Sequence, residues 1–197
     1  MVGFSMETEA ESRVTQAPEP LGLVQRFLNT ADLETGADEL ADAAGARRWL
    51  VANRLLARAD SFGEPDRELL VEVRETLRRL AHANRERGTE AAALRVLNEH
   101  ASRAPLTVEL RADGAELVAA SPGVDGAVAR LLAVVFTAAR DGTWSRLKAC
   151  RNDACRWVFY DASRNRVGTW CSMAVCGNRH NVRAFRAREA RRSAGAA

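Results

Sequence analysis

Four cysteines near the C-terminal end of this 197-residue chain form two pairs with the same internal spacing. Four residues separate Cys150 from Cys155, fifteen residues follow, and four residues separate Cys171 from Cys176. Matched pairs at this interval are typical of structural zinc sites, in which four thiolates close a tetrahedron around the ion. Such a metal has no open coordination position, so we expect it to fold a small segment and not to activate water.

Two other interpretations of the cysteines stay open at this stage. Four unligated thiols need no metal, but the matched placement of all four within 27 residues disfavours this hypothesis. An iron–sulfur cluster also takes four thiolates, although neither pair has the tighter two-residue spacing of ferredoxins. We therefore expect one structural Zn²⁺, held by Cys150, Cys155, Cys171 and Cys176.

Charge is divided unevenly between the two ends of the chain. Residues 144–197 contain 12 Lys+Arg and 3 Asp+Glu, a net charge of +9, whereas residues 1–143 contain 17 and 23, a net charge of −6. A basic block on the cysteine-containing segment favours a polyanionic partner for that segment. The alternative is a basic segment that is only solvated.

The composition argues against several other classes of protein. The chain has no run of 18 apolar residues, and its N-terminal 20 residues lack the basic and apolar regions of a signal peptide. We therefore expect no membrane association and a cytoplasmic location, where reduced cysteines favour metal over disulfides. His82, His100 and His180 are scattered, and no common catalytic motif is present, so we do not expect an enzyme.

Changes in composition along the chain predict two domains and two tails. Residues 1–19 are polar and acidic without apolar periodicity, which predicts a disordered tail. Residues 20–143 show helical periodicity and predict an α-rich domain. Residues 144–192 contain the cysteines and predict the metal-bound module, here called the finger. Residues 193–197 form an Ala-rich end, which we expect to be a second tail.

Three patterns define the α-rich domain in more detail. Apolar residues recur at helical spacing over residues 65–86, which predicts a long amphipathic helix. Asp113 and Gly114 predict the two-residue turn of a β-hairpin, because the flanking residues alternate between apolar and polar. Residues 124–140 are apolar on nearly every side, which predicts a central, buried helix.

The finger is predicted to contain a hairpin followed by a helix. Between the cysteine pairs, "RWVFYDASRNRVGTW" alternates around Trp157 and predicts a short hairpin that turns through "DASRN". After Cys176 a helix is expected that brings Arg179, Arg183 and Arg186 to one face, at positions i, i+4 and i+7. The order of knuckle, hairpin and helix is that of a treble-clef finger. Gly177 and Asn178 are expected to shape the start of this helix.

Residues 150–179, "CRNDACRWVFYDASRNRVGTWCSMAVCGNR", resemble the CGNR zinc finger, including the four cysteines and the "CGNR" signature itself. The preceding chain resembles the ABATE domain, through "FLNT" at residues 27–30, "WL" at residues 49–50, and the order of helices and one hairpin. This resemblance implies DNA binding and regulation of transcription. In "FLNT", Asn29 and Thr30 are interpreted either as a helix cap or as part of a ligand pocket.

These observations lead to one principal hypothesis and one alternative. We expect a transcription regulator that binds double-stranded DNA through Arg179, Arg183 and Arg186, with a metal that is structural. The alternative is an adaptor that binds RNA or an acidic protein through the same basic helix. Formation of a homodimer and binding of a small-molecule effector by the α-rich domain stay open.

Overall fold

The computed structural model describes residues 14–86, 88 and 90–194 of the chain. These residues form a mainly α fold with two small antiparallel hairpins, one in each predicted domain, which confirms the predicted fold class. The helices are α1 (Leu21–Leu28), α2 (Ala43–Ala52), α3 (Glu64–Glu86), α4 (Ala91–Arg103), α5 (Gly123–Asp141) and α6 (Asn178–Ala194). The strands are β1 (Leu106–Arg111), β2 (Gly114–Ala119), β3 (Leu147–Ala149) and β4 (Val158–Tyr160).

Helix α3 is the longest element, and its apolar stripe forms much of the core. Leu70, Val73 and Leu77 are fully buried at the spacing of three and four residues that the sequence predicts. They pack in one cluster with Phe27 of α1 and Leu131 of α5. The burial of this stripe explains why a helix so rich in charged residues is stable.

Helix α5 is buried on nearly every side only in its N-terminal half, where Gly126 to Ala129 are all buried, so the prediction of a buried helix is corrected for the C-terminal half. Val128 and Leu131 are in the core, but Phe136 is 52% exposed. The helix ends at Gly142, whose φ of 79° lies in the left-handed region that glycine adopts most readily. Within the described ranges, no helix is long and apolar enough to cross a membrane.

The hairpin of β1 and β2 turns one residue earlier than the sequence predicts. Arg111 pairs with Gly114, so the two turn residues are Ala112 and Asp113, and Gly114 begins β2. The prediction of a hairpin is confirmed, whereas the assignment of its two turn residues to Asp113 and Gly114 is corrected by this register.

The predicted N-terminal tail is only partly within the described residues. Residues 1–13 lie outside them, but the chain is packed from residue 14 onward. Ala17 is buried, and its N–H donates a 2.6 Å hydrogen bond to Gln25 Oε1. Tyr160 N–H donates to Thr15 O at 3.1 Å, so this segment also contacts the finger. The packed chain therefore begins before residue 20.

The hairpin of the finger has a different first strand from the one predicted. Strand β4 pairs with β3, which precedes the first cysteine, and not with residues after the "DASRN" turn. The physical reason is burial, because Leu147, Ala149 and Val158 all belong to the main core. In residues 162–169 the only apolar side chains are those of Ala162 and Val167, and both are exposed, so this segment offers no comparable apolar face. The finger therefore shares its first hairpin with the core of the α-rich domain.

Candidate metal centre and basic helix

The four cysteines lie together at one end of the finger. Their Sγ atoms are all within 4.8 Å of one another, and all but the half-buried Cys171 are buried. The Sγ atom of Cys171 is 3.7 Å from that of Cys155 and 3.8 Å from that of Cys176. Sulfur atoms at the corners of a tetrahedron with metal–sulfur bonds of about 2.3 Å are about 3.8 Å apart. The donor set and its spacing therefore fit a metal ion such as Zn²⁺.

Short backbone turns bring the two pairs into position. Cys150 directly follows β3, and its N–H donates a hydrogen bond to Trp157 O at 2.9 Å. This bond closes the turn between β3 and β4 that carries Cys150 and Cys155, here called the first knuckle; the turn that carries Cys171 and Cys176 is the second knuckle. The second pair is held by a single π-helical turn, Met173–Gly177, whose N-cap Ser172 accepts a hydrogen bond from Val175 N–H. Strand pairing thus fixes the first knuckle, and a capped turn fixes the second.

Gly177 lies where the side chains of the second knuckle pack closely. A Cβ atom at this position would lie 2.8 Å from Met173 Sδ and 3.3 Å from Trp170 Cδ1. The residue therefore allows the turn that carries Cys176 to pack against the indole ring. This contact gives a physical basis for the expectation that Gly177 shapes the start of the helix.

Crowding of the thiols shifts their pKa values in opposite directions. Hydrogen bonds with the side chains of Cys155 and Cys171 lower the pKa of the Cys150 thiol. The same hydrogen bond with Cys150 raises the pKa of Cys155, and hydrogen bonds with both neighbours raise that of Cys171. Deprotonation of one thiol is thus favoured, and its negative charge opposes deprotonation of the neighbouring thiols. A divalent cation removes this repulsion because it stabilises every thiolate bound to it.

Helix α6 begins at the second knuckle and projects away from the rest of the described structure. Cys176 and Gly177 are buried, whereas Arg179, Arg183 and Arg186 are exposed. Over residues 178–193 every side chain is exposed except that of Ala184, which is half-buried. The helix contains six arginines and one glutamate. The three arginines selected from the sequence thus lie on an exposed, strongly basic helix.

The first of these arginines has a partner in the α-rich domain. Arg179 forms an ion pair with Glu34, which lies in the loop between α1 and α2, residues 29–42. Both side chains are close to half exposed, so the pair is a weak surface interaction. Arg183 and Arg186, in contrast, make no ion pair with any described residue.

A polar groove beside the knuckles contains further groups that the sequence analysis did not select. The groove has a volume of about 340 Å³, and Arg151 of the first knuckle and Arg183 of α6 both line it. Trp170 and His180 also line it, with ring centroids 4.9 Å apart. Arg151 could have been found from the sequence, because it directly follows Cys150 in a segment of net charge +9.

Asn29 of the "FLNT" motif joins α1 to the finger. It is the C-cap residue of α1, and its side-chain amide pairs with the backbone of Val158 in β4. Asn29 Nδ2 donates to Val158 O at 2.8 Å, and Val158 N–H donates to Asn29 Oδ1 at 2.8 Å. Thr30 Oγ1 donates to Phe27 O at 2.8 Å, so this residue also closes the end of the helix. The helix-end interpretation of both residues agrees with these contacts.

Two buried arginines of α3 hold the loop of residues 29–42. Arg74 donates two hydrogen bonds to the carboxylate of Asp38, at 2.6 and 2.8 Å, and a third to Thr30 Oγ1 at 3.0 Å. Arg78 donates to Leu28 O at 2.5 Å. Burial of Arg74 lowers its pKa, but the bonds to Asp38 outweigh this effect and raise it, so the pair stays charged. Their role depends on partners distant in the sequence, so the helical pattern of residues 65–86 gives no sign of it.

Comparisons with protein families agree with this division of the chain. The family model ABATE, described as "Putative stress-induced transcription regulator", matches residues 21–142. The model of the CGNR zinc finger matches residues 146–189, which include all four cysteines. No curated protein matches the chain at a significant level.

Proposed function

Because the chain belongs to the ABATE family and ends in a CGNR zinc finger, we propose that it is a zinc-containing transcription regulator that binds double-stranded DNA. One structural Zn²⁺, bound by Cys150, Cys155, Cys171 and Cys176, fixes the start of α6. The arginines of α6 then contact the phosphates. The description of the family as a regulator supports the cellular role, and the charge of α6 supports the mode of binding.

The exposure of α6 is the observation that carries this proposal. The six arginines of α6 repel one another, and the helix has only one glutamate to offset their charge. Among the described residues, its side chains make almost no apolar packing contacts. Such a helix suits a polyanion, because the major groove of B-DNA admits an α-helix and phosphates attract guanidinium groups. Arg183 and Arg186 are the principal phosphate contacts in this proposal.

The metal has a structural role in the proposal. Four thiolates fill a tetrahedral coordination sphere, so the ion has no position for substrate or water. Its binding free energy stabilises the knuckles, which contain few buried apolar residues of their own. The metal thereby fixes the direction in which α6 leaves the finger.

Salt-dependent binding to duplex DNA tests the nucleic-acid role. Each arginine that neutralises one phosphate contributes about 0.9 to the slope of log K against log salt concentration. Arg183→Ala and Arg186→Ala are each expected to lower that slope by about one unit without loss of bound zinc. The matched control is Arg103→Ala, an exposed arginine at the end of α4, which is expected to leave the slope unchanged.

The same measurements distinguish DNA from the alternative partners. A regulator is expected to bind duplex DNA with a sequence-specific component above its salt-dependent background. Equal affinity for single-stranded RNA favours the RNA-binding adaptor. If neither variant changes duplex affinity at low salt and the cell yields an acidic protein partner, the DNA proposal is wrong.

A further inference from the structure

The outer edge of strand β1 is open to solvent. Residues 107–111 of β1 are all exposed, whereas β2 contacts α5 and its residues 117–119 are half-buried. An exposed strand edge offers its N–H and C=O groups to another strand. The β1 side of the hairpin is therefore the side on which a further strand can be added.

The hydrogen-bond pattern of the hairpin shows which backbone groups point outward. Ala120 N–H donates to Pro105 O at 3.0 Å, and this pair continues the ladder of β1 and β2 by one step. Hydrogen-bonded and non-hydrogen-bonded pairs alternate along an antiparallel ladder. The N–H and C=O groups of Leu106, Val108 and Leu110 therefore point away from β2. They have no hydrogen-bond partner on that side among the described residues.

The same three residues belong to an apolar face of the hairpin. Paired residues of two strands lie on one face, so the face also contains their β2 partners Ala115, Leu117 and Ala119. Exposure increases along β1 from Leu106, which is half-buried against the core, to 63% for Val108 and 80% for Leu110. One end of the apolar face is thus covered by the protein's own core, and the other end is uncovered.

We propose that β1 pairs antiparallel with β1 of a second copy of this chain, about a two-fold axis at Val108. The two hairpins then form a four-stranded sheet in which Leu110 lies opposite the partner's Leu106. Every outward N–H and C=O group of β1 gains a hydrogen-bond partner in this register. The uncovered end of each apolar face lies next to the covered end of the other, so the contact is self-complementary, as a two-fold interface requires.

Charge and side-chain direction select this register over its neighbours. A slip of one residue pairs Val108 with the partner's Glu109, so that apolar and polar faces no longer align. A slip of two residues places Glu109 opposite the partner's Glu109, and like charges directly opposite one another are destabilising. A slip of two residues in the other direction leaves Leu110 beyond the end of the partner's strand.

Opposite charges at the two ends of the hairpin agree with the same axis. Asp113 lies in the turn, five residues after Val108, and Arg103 lies at the end of α4, five residues before Val108. The two-fold axis therefore brings Asp113 of each copy toward the partner's Arg103. Both side chains are exposed, so each pair contributes little to affinity but helps to select the register.

Sedimentation of the zinc-loaded full chain without nucleic acid tests the dimer. The interface consists of one strand edge and part of one face, which is smaller than a standard interface, so we expect a dimer that forms between micromolar and submillimolar concentration. Val108→Lys places two like charges at the axis and is expected to leave only monomer over this range. The matched control is Val167→Lys, because Val167 is 67% exposed in the finger, and it is expected to leave the dimer unchanged.

The outcomes of this experiment are independent of the proposed function, because no DNA is present. A monomer at every concentration overturns the proposal. Equal effects of Val108→Lys and Val167→Lys also overturn it, because they would place the interface elsewhere.

Exchange of the two end charges tests the register. Asp113→Arg replaces two attractive pairs by two repulsive ones, and is expected to raise the dissociation constant of the dimer about 2- to 30-fold. Addition of Arg103→Asp to the same chain is expected to restore the wild-type dissociation constant, which a general loss of stability would not do. A double variant that dimerises as weakly as Asp113→Arg overturns the axis at Val108.

Backbone amide hydrogen exchange identifies the edge itself. The N–H groups of Thr107, Glu109 and Arg111 bond to β2 in the monomer and in the dimer alike, so their exchange should not depend on protein concentration. The three outward N–H groups are bonded only in the dimer, and their exchange is expected to slow as the concentration rises. Protection of these three groups in a monomer would show that the protein's own chain covers the edge, and overturns the proposal.

Discussion

Lys148 and Asp161 form an ion pair that is almost completely removed from solvent. Lys148 Nζ lies 2.7 Å from Asp161 Oδ2, and each side chain is 3% exposed. Asp161 also accepts hydrogen bonds from Ser163 Oγ at 2.6 Å and from Gly168 N–H at 2.7 Å. The carboxylate thereby joins β3 to the loop that follows β4, where the sequence analysis had placed a second strand.

Neutralising this carboxylate should destabilise the protein strongly. Asp161→Asn leaves the buried ammonium of Lys148 without a counter-charge, and loss of one partner of a buried pair costs about 3–5 kcal/mol. Urea unfolding of the zinc-loaded protein measures the change. The control is Asp153→Asn, because Asp153 is 81% exposed and its ion pair with Arg156 is a solvent-screened surface pair that should contribute little. Equal effects of the two substitutions would contradict this account.

The same carboxylate gives the stability a defined dependence on pH. Burial by itself raises the pKa of Asp161, but hydrogen bonds from Lys148, Ser163 and Gly168 outweigh it and lower the pKa to about 2. Because this is below the unfolded value of about 3.9, the carboxylate stabilises the fold above that value. The stabilisation is lost as the pH falls from about 4 to about 2.

A comparison of two proteins isolates this contribution from the release of metal in acid. The difference in free energy of unfolding between the wild type and Asp161→Asn is expected to shrink by about 2 kcal/mol between pH 4 and pH 2. Unfolding is measured for both proteins in the same buffers and with the same zinc content. A difference that stays constant over this interval would show that Asp161 does not titrate in this way.

Asn29 should contribute to stability through the finger and not through its own helix. Asn29→Ala removes both hydrogen bonds to the backbone of Val158, and we expect a loss of about 1–3 kcal/mol. Asn53→Ala is a matched control, because Asn53 is the C-cap residue of α2 and its side chain bonds only its own helix, at Trp49 O. A loss for Asn53→Ala as large as that for Asn29→Ala would show that the effect comes from helix capping.

Metal analysis tests the cysteine site. Protein purified without chelators is expected to contain one zinc per chain, and Cys171→Ser should reduce this content, because a closed tetrahedral site needs all four thiolates. Ser172→Ala is the control, since Ser172 caps the same turn without offering a thiolate. Zinc that stays unchanged in Cys171→Ser would contradict the assignment.

Removal of the metal should unfold the knuckles and leave α1 to α5 intact. These helices share a core that contains no cysteine, whereas the buried cluster of the knuckles consists of the cysteines and Trp157. Far-ultraviolet circular dichroism before and after chelation measures the effect, and at most the signal of α6 should be lost. Loss of most of the helical signal would show that the core depends on the metal.

The sequence predicts the elements better than it predicts their partners. The long helix and the hairpin turn are local patterns, and the cysteine spacing carries its own geometric constraint, so these features could be recognised without tertiary information. Strand β3 has only three residues, which is too short for an alternating pattern to be seen. Its pairing with β4 depends on the core that both strands enter.

Buried charge was also beyond the reach of sequence patterns. Arg74 and Lys148 look like surface residues in the sequence, because arginine and lysine are almost never fully buried unless they are paired. Their partners, Asp38 and Asp161, are 36 and 13 residues away, and the pairs form only when the chain is folded. The packing of residues 14–19 is hidden from sequence patterns for the same reason, since the hydrogen-bond partners of this segment are in α1 and β4.

The sharing of β3 and β4 with the core limits how this finger could be exchanged in evolution or in engineering. A small zinc module whose folding free energy comes from the metal alone could be moved without its neighbouring domain. Here a cut between the two family matches would leave Leu147 and Val158 without the surface that buries them and would remove the Asn29 contact. Recombination that moves this finger must therefore also carry a compatible α1 and α3, so the two families are expected to be inherited as one unit.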